Sequence, residues 1–128
     1  MPWCCEDETT EASEEMLDWA KQGSELHVPC LWGWEVMNAV GVSVKRSRIT
    51  ADRGKDFLEQ LAVLNFKIDH PPPIADFPRL QDLATLHRLT SYDVAYLDLA
   101  KRLSLPLATR DTDLEKAAIS EGVKVLSK

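Results

Sequence analysis

The chain predicts an α/β protein whose parallel sheet is covered by helices on both faces. Two observations carry this. Short apolar, strand-like segments recur along the sequence, and stretches of helical length, with apolar residues three and four apart, separate them. A third observation points to function: isolated carboxylates sit in apolar or first-turn positions of these elements, and one follows directly on a strand. Ligands of such sheets bind at the carboxyl ends of the strands.

Taken in order, Thr10 is placed to cap a helix whose first turn holds Glu11, Glu14 and Glu15, acids favoured beside the positive end of the helix dipole. Met16, Leu17 and Ala20 form its apolar side and Gly23 its stop. Ser24–Pro29 alternates and ends at proline, as a short strand does. A helix follows over Leu31–Val44, and another after Thr50 with Phe57, Leu58, Leu61 and Leu64 at helical spacing. Asn65–Asp69 reads as strand, and Pro71, Pro72 and Pro73 as a stiff extended connector. Asp76 and Pro78 start a helix running to about Leu89, and Ser91 opens the next. Strand 105–109, helix 113–121 and strand 123–126 complete the order. No repeat, low-complexity segment or linker divides the chain, so a single domain over residues 1–128 is expected.

At this length one core forms without staples, burying roughly two-thirds of the unfolded surface. No apolar run approaches the ~20 residues that span a bilayer, and no signal peptide is visible. Neither CxxC nor a Cys/His metal spacing occurs among Cys4, Cys5 and Cys30, which points to a reducing, cytoplasmic setting without a membrane partner. Net charge is −6, which taken alone disfavours nucleic acid. Its distribution weakens that objection: six acids and no base fall within residues 1–15, and the remainder is balanced at fifteen of each sign. Lys45, Arg46, Arg48, Arg53 and Lys55 form a basic stretch against Asp52 alone, readable as a solvated helix corner or as a grip on an RNA backbone.

Glu35 lies among Trp32, Trp34, Val36 and Met37, where desolvating a carboxylate is costly unless a cation or hydrogen bonds meet it. Asn38, one turn on, shares its stripe. Asp93 falls in the first turn of its helix, where the dipole alone favours an acid, and Asp111 stands where a helix N-cap would. Each alone is weak evidence; on converging elements, the three suggest a hard divalent cation. Asp98, spaced for Lys101 and Arg102, reads as a surface ion pair of little worth. Asp113 serves as a cap or supports the cluster from behind. Cys30 reads as core, and His27, His70 and His87 as packing residues, none spaced as a metal pair. There is no Gly-rich phosphate loop and no GxSxG elbow.

The segments HVPCLWGWEVMNA, LTSYDVAYLDLA and LPLATRDTDL resemble PIN-domain proteins, particularly the VapC-type toxins of bacterial toxin–antitoxin pairs, over about residues 24–128. The resemblance implies a three-layer α/β/α nuclease fold, dependence on Mg²⁺ or Mn²⁺, cleavage of RNA, homodimerisation and inhibition by a cognate antitoxin. Glu35, Asp93 and Asp111 match three of the family's four acidic positions, as catalytic residues and metal ligands. Asn38 and Thr109 match positions that support them. Family members open with an apolar strand ending in aspartate. Here Trp3 and Asp7-Glu8 align with the residues just after that strand, so the first strand and the fourth acid are expected to be missing from an N-terminally truncated domain, through a start codon assigned too late or a genuine truncation. That leaves two readings: a Mg²⁺-dependent endoribonuclease toxin, or a catalytically inactive module that binds an antitoxin or other partner.

Overall fold

The structure is a computed structural model that describes residues 3–5, 18 and 21–126, with side chains described from Asp18 onward except Trp19 and Ala20. The helix expected from Thr10 lies mostly outside the described residues. Gly23 has φ 88°, the left-handed backbone expected of a helix stop.

The elements are β1 (Trp3–Cys5), β2 (Leu26–Val28), α1 (Leu31–Lys45), α2 (Ala51–Ala62), β3 (Phe66–Ile68), α3 (Phe77–His87), α4 (Ser91–Leu103), β4 (Leu107–Ala108), α5 (Thr112–Ser120) and β5 (Val125–Leu126). A 3₁₀ turn, Ile74–Asp76, leads into α3 behind the three prolines. The strands form one parallel sheet in the order β3-β2-β1-β4-β5. The expected α/β class with a parallel sheet is therefore found.

The expected gap in that sheet is not. Trp3–Cys5 occupies the central position, pairing Trp3 with Leu26 and Cys4 with both His27 and Leu107. Three residues suffice because the flanking strands are themselves only two or three residues long. Strands β2 to β5 are each shorter than the segment whose sequence pattern predicts them.

The chain steps from β1 to β2 and β3 in one direction, then crosses back to β4 and β5. Right-handed crossovers in opposite directions place their helices on opposite faces. The reversal lies between β1 and β4, and in such sheets the crevice beyond that point is where ligands bind. α4 is the central helix: it packs on β1, β2 and β4 and touches α3 and α5 on either side. Leu97, Leu99 and Ala100 are fully buried and join Leu26, Val28, Leu107 and Leu114 in the core. Each buried leucine contributes about 2 kcal/mol. The N–H of Leu105 donates to Ala100 at 2.9 Å behind the left-handed Ser104, which ends α4 and turns the chain into β4.

On the other side, Thr50 caps α2 by accepting from the N–H of Arg53, and Gly54 admits α1 closely. A Cβ there would stand 2.8 Å from Val40 Cγ1. The two helices thus meet at a tight corner carrying the basic stretch.

At the far end of the helices, Glu121 joins α3 to α4. Its carboxylate accepts from Lys101 Nζ at 2.7 Å and lies 2.8 Å from His87 Nε2. His87 is thus not only a packing residue. Hydrogen bonding from Lys101, then from His87, lowers the Glu121 pKa below the usual carboxylate value. A lowered folded-state pKa confers stability above the unfolded value of about 4.3, and that stability is lost as pH falls through the folded value. Glu121→Gln is expected to lower the melting temperature by about 2–4 °C at pH 7 and by progressively less as the pH falls below the ordinary carboxylate range, as followed by circular dichroism.

Candidate active site

The carboxyl edge of the sheet gathers the ends of several elements, and the local sequence explains how each acid is held there. α4 begins with Thr90, whose Oγ1 accepts from the N–H of Asp93 at 3.1 Å. This fixes Asp93 as the third residue of the helix, half-buried, at the positive end of its dipole. Asp111 follows β4 as the N-cap of α5, its Oδ1 accepting from the N–H groups of Asp113 at 2.9 Å and Leu114 at 3.3 Å. Its own N–H donates to Thr109 Oγ1 at 3.0 Å, and Thr109 is buried. The capping geometry uses Oδ1 and leaves Oδ2 outside the cap.

Glu35 lies in the second turn of α1, half-buried. The hydroxyl of Tyr96, a residue only 2% exposed, donates to Glu35 Oε1 at 2.5 Å. This bond ties α1 to α4 across 61 positions of sequence. Sequence reasoning missed Tyr96, although a signal was present: it lies three residues after Asp93, so the two side chains neighbour each other on α4.

The supporting residues divide. Thr109 orients the backbone of Asp111, while Asp113 is exposed and contributes its N–H to the cap. Asn38 is exposed on α1. Lys45, Arg46, Arg48 and Arg53 are exposed, as is Lys55, at the far end of α1. Ten residues separate Glu35 from Lys45, about 15 Å along the helix. The basic stretch and the carboxylates therefore occupy different ends of one helix.

Two expectations are corrected by burial. Cys30 is exposed rather than core. Asp98 is no surface pair: it is 6% exposed and held by two guanidinium groups. Arg79 Nη1 donates to its Oδ1 at 2.9 Å and Arg102 Nε to its Oδ2 at 2.8 Å. Arg79 also faces Asp76, and Arg102 also pairs with Asp69. The hydrogen bond to Asp98 raises the Arg79 pKa above its ordinary value, and that to Asp69, then Asp98, raises the Arg102 pKa. Arg79 comes from α3, nineteen residues upstream, which is why spacing on α4 alone suggested a local pair.

All the candidate acids offer hard oxygen donors, the type Mg²⁺ and Mn²⁺ take. Among the described residues, no group of three His, Cys, Asp or Glu side chains stands close enough to hold one ion. Glu6, Asp7 and Glu8, which follow β1 in the chain, lie outside the described residues.

Known proteins agree with this architecture. The PIN-domain family model matches residues 3–120. Ribonuclease VapC3 of Pyrobaculum aerophilum is 33% identical over 107 residues, covering 81% of this chain and 79% of that protein. Among solved structures, PAE2754 from Pyrobaculum aerophilum superposes with a TM-score of 0.72 at 21% identity, over 91% of this chain and 84% of that one. FitAcB from Neisseria gonorrhoeae gives 0.58 at 19% identity, over 99% and 97%. At these identities the two structures speak for the fold. With a sheet ordered around the β1–β4 switch point, three segments bearing the expected acids, and a family match over nearly its whole length, the chain belongs to the PIN-domain family, among members of the VapC type.

Proposed function

We propose that this chain, acting as a single PIN domain, is a divalent-metal-dependent endoribonuclease and the toxin of a type II toxin–antitoxin pair. The observation that carries the reading is the anchoring of Glu35, Asp93 and Asp111. Glu35 is held through its carboxylate by Tyr96, Asp111 through its own N-cap, and Asp93 through its backbone N–H on Thr90, and Asp93 and Asp111 stand at the N-termini of helices at the carboxyl edge. The named relative, a ribonuclease, supports the same activity.

Glu35, Asp93 and Asp111, the last through the oxygen its cap does not use, are the residues that would hold Mg²⁺ or Mn²⁺. Such an ion, when bound, supplies water activation and counter-charge for a departing oxygen. The chain's own part is positional. Tyr96 holds Oε1 of Glu35 and so orients the carboxylate, and Thr109 sets the turn that presents Asp111. The positive ends of α4 and α5 favour ionised carboxylates and the approach of a phosphodiester. Lys45, Arg46, Arg48 and Arg53 would grip the RNA backbone at the far end of α1, where Lys45 lies about 15 Å along the helix from Glu35. Asn38 and Asp113 are kept as outer supports. A cognate antitoxin as inhibitor, a homodimer using the exposed Trp34 and Met37 of α1, and a cytoplasmic location complete the proposal. No helix among the described residues is long and apolar enough to cross a membrane.

Chelation is the first test. Cleavage of single-stranded RNA is expected to stop in EDTA and to return with excess Mg²⁺ or Mn²⁺; cleavage indifferent to EDTA would refute the metal-dependent reading. Tyr96→Phe is expected to weaken Mn²⁺ binding about 10-fold in a calorimetric titration, without loss of the folded far-ultraviolet spectrum. Unchanged affinity would free Glu35 from any need of that hydroxyl. A second reading, an inactive partner-binding module, draws on the lack of a ready three-ligand cluster among the described residues. It predicts no cleavage with any metal, alongside a stable antitoxin complex.

A further inference from the structure

Tyr92 stands directly before Asp93 in the first turn of α4 and is 66% exposed. At about 100° per residue, Tyr92, Tyr96 and Asp93 fall within one sector of the helix, in that order. Tyr96 fixes where that sector looks: its hydroxyl reaches Glu35 at 2.5 Å, and the residue is buried. Tyr92 is thus one turn from the residue that touches Glu35 and next in the chain to Asp93. Helical side chains lean toward the N-terminus of their helix, and α4 starts at the carboxyl edge of the sheet. The Tyr92 ring therefore belongs to the rim of the acidic site. It occupies a different sector of α4 from Ser91, Ala95, Asp98 and Arg102, which line a groove against α3.

Tyr92 takes no part in the core. Among the described residues its hydroxyl has no hydrogen-bond partner and its ring no stacking partner. The cations proposed to grip RNA stand at the far end of α1, where Lys45 lies about 15 Å along the helix from Glu35. They hold phosphates at that distance and do not fix the nucleotide beside the cut.

We infer that Tyr92 stacks on a base of the RNA strand next to the phosphodiester at Asp93 and Glu35, and so sets the strand in the site. The inference rests on the nuclease reading of these acids. A tyrosine suits the role. Its ring is neutral and does not repel phosphate, and two side-chain torsions carry the whole ring, so little entropy is lost on contact. Every base has a π face, so stacking holds a strand of any sequence. Single strands offer such faces and paired strands hide them, so the same contact favours unpaired RNA.

The test uses the whole chain and a fluorescently labelled single-stranded hexaribonucleotide, with an abasic strand of the same length beside it. Binding is measured by anisotropy in EDTA, and cleavage separately with Mg²⁺. Tyr92→Ala is expected to weaken binding of the hexaribonucleotide about 10-fold, and of the abasic strand less than about twofold. KM for cleavage should rise about 10-fold with kcat within about twofold. Tyr92→Phe, which keeps the ring and loses the hydroxyl, should match wild type. Tyr92→Leu, apolar but without a π face, should resemble Tyr92→Ala. Phe77→Ala removes another exposed ring, on α3, and should bind RNA as wild type does. Melting curves establish that all four variants fold. This pattern of binding in a protein that never cleaves RNA supports the stack and removes the nuclease reading. Cleavage with binding unchanged in Tyr92→Ala overturns the stack and spares that reading. Equal loss in Tyr92→Phe or Phe77→Ala also overturns it. Loss of self-association or antitoxin binding with RNA affinity intact does the same, assigning Tyr92 to a protein partner.

Discussion

Asp93→Asn is expected to lower Mg²⁺-dependent RNA cleavage by about 10³-fold while the protein stays folded. The scale follows from removing one charged ligand from a site where a metal supplies several kcal/mol of barrier reduction, each 1.36 kcal/mol being tenfold. The fold should survive because the Thr90 cap receives the backbone N–H of residue 93, not its side chain. Only a favourable dipole contact is lost, about 0.5 kcal/mol. Glu35→Gln should behave alike. Asp111→Asn is the more telling companion, since asparagine caps a helix as well as aspartate does. It should keep α5 intact and still lose activity, which separates the two roles that the geometry gives this residue. Initial rates on a labelled single-stranded RNA, with melting curves of the same preparations, decide it. Wild-type rates in Asp93→Asn would remove that residue from the mechanism.

Asp98→Ala is expected to cost about 2–3 kcal/mol of stability and, in a chain of this size, roughly 8–12 °C in melting temperature. Breaking a buried pair by deleting one partner typically costs ~3–5 kcal/mol, because the remaining charge is stranded. The cost is lower here because the side chains of Arg79 and Arg102 are 52% and 41% exposed and can rehydrate. Asp98→Asn, which keeps the shape and one acceptor, should cost less. Urea denaturation of the three proteins checks the order. A loss below ~0.5 kcal/mol for Asp98→Ala would return the residue to the status of a surface pair.

What could be read from sequence was mostly local. Asp93 in the first turn of a helix opened by Ser91 needs no tertiary information, and the structure has that helix start, with Thr90 as its cap. Asp111 after a short apolar strand likewise announced an N-cap at the sheet edge. β1 escaped notice because three residues cannot display a period of two; it exists because β2 and β4 offer edges on both sides of it. Asp98 was misjudged because its second arginine arrives from another helix. Tyr96 and Glu35 meet across 61 residues, a pairing that no single-element pattern encodes. The exposed Cys30 shows the same limit: an apolar neighbourhood in sequence is not one in space.

Glu35, Asp93 and Asp111, positioned by separate elements, are expected to draw together around one divalent cation. Crystals grown with Mn²⁺ in place of Mg²⁺ test it most directly through the anomalous signal of the ion. A peak is expected at the carboxyl edge, about 2.1 Å from carboxylate oxygens of at least two of these residues. A crystal saturated with Mn²⁺ that shows no ion there, with the three side chains turned separately to solvent, would contradict it.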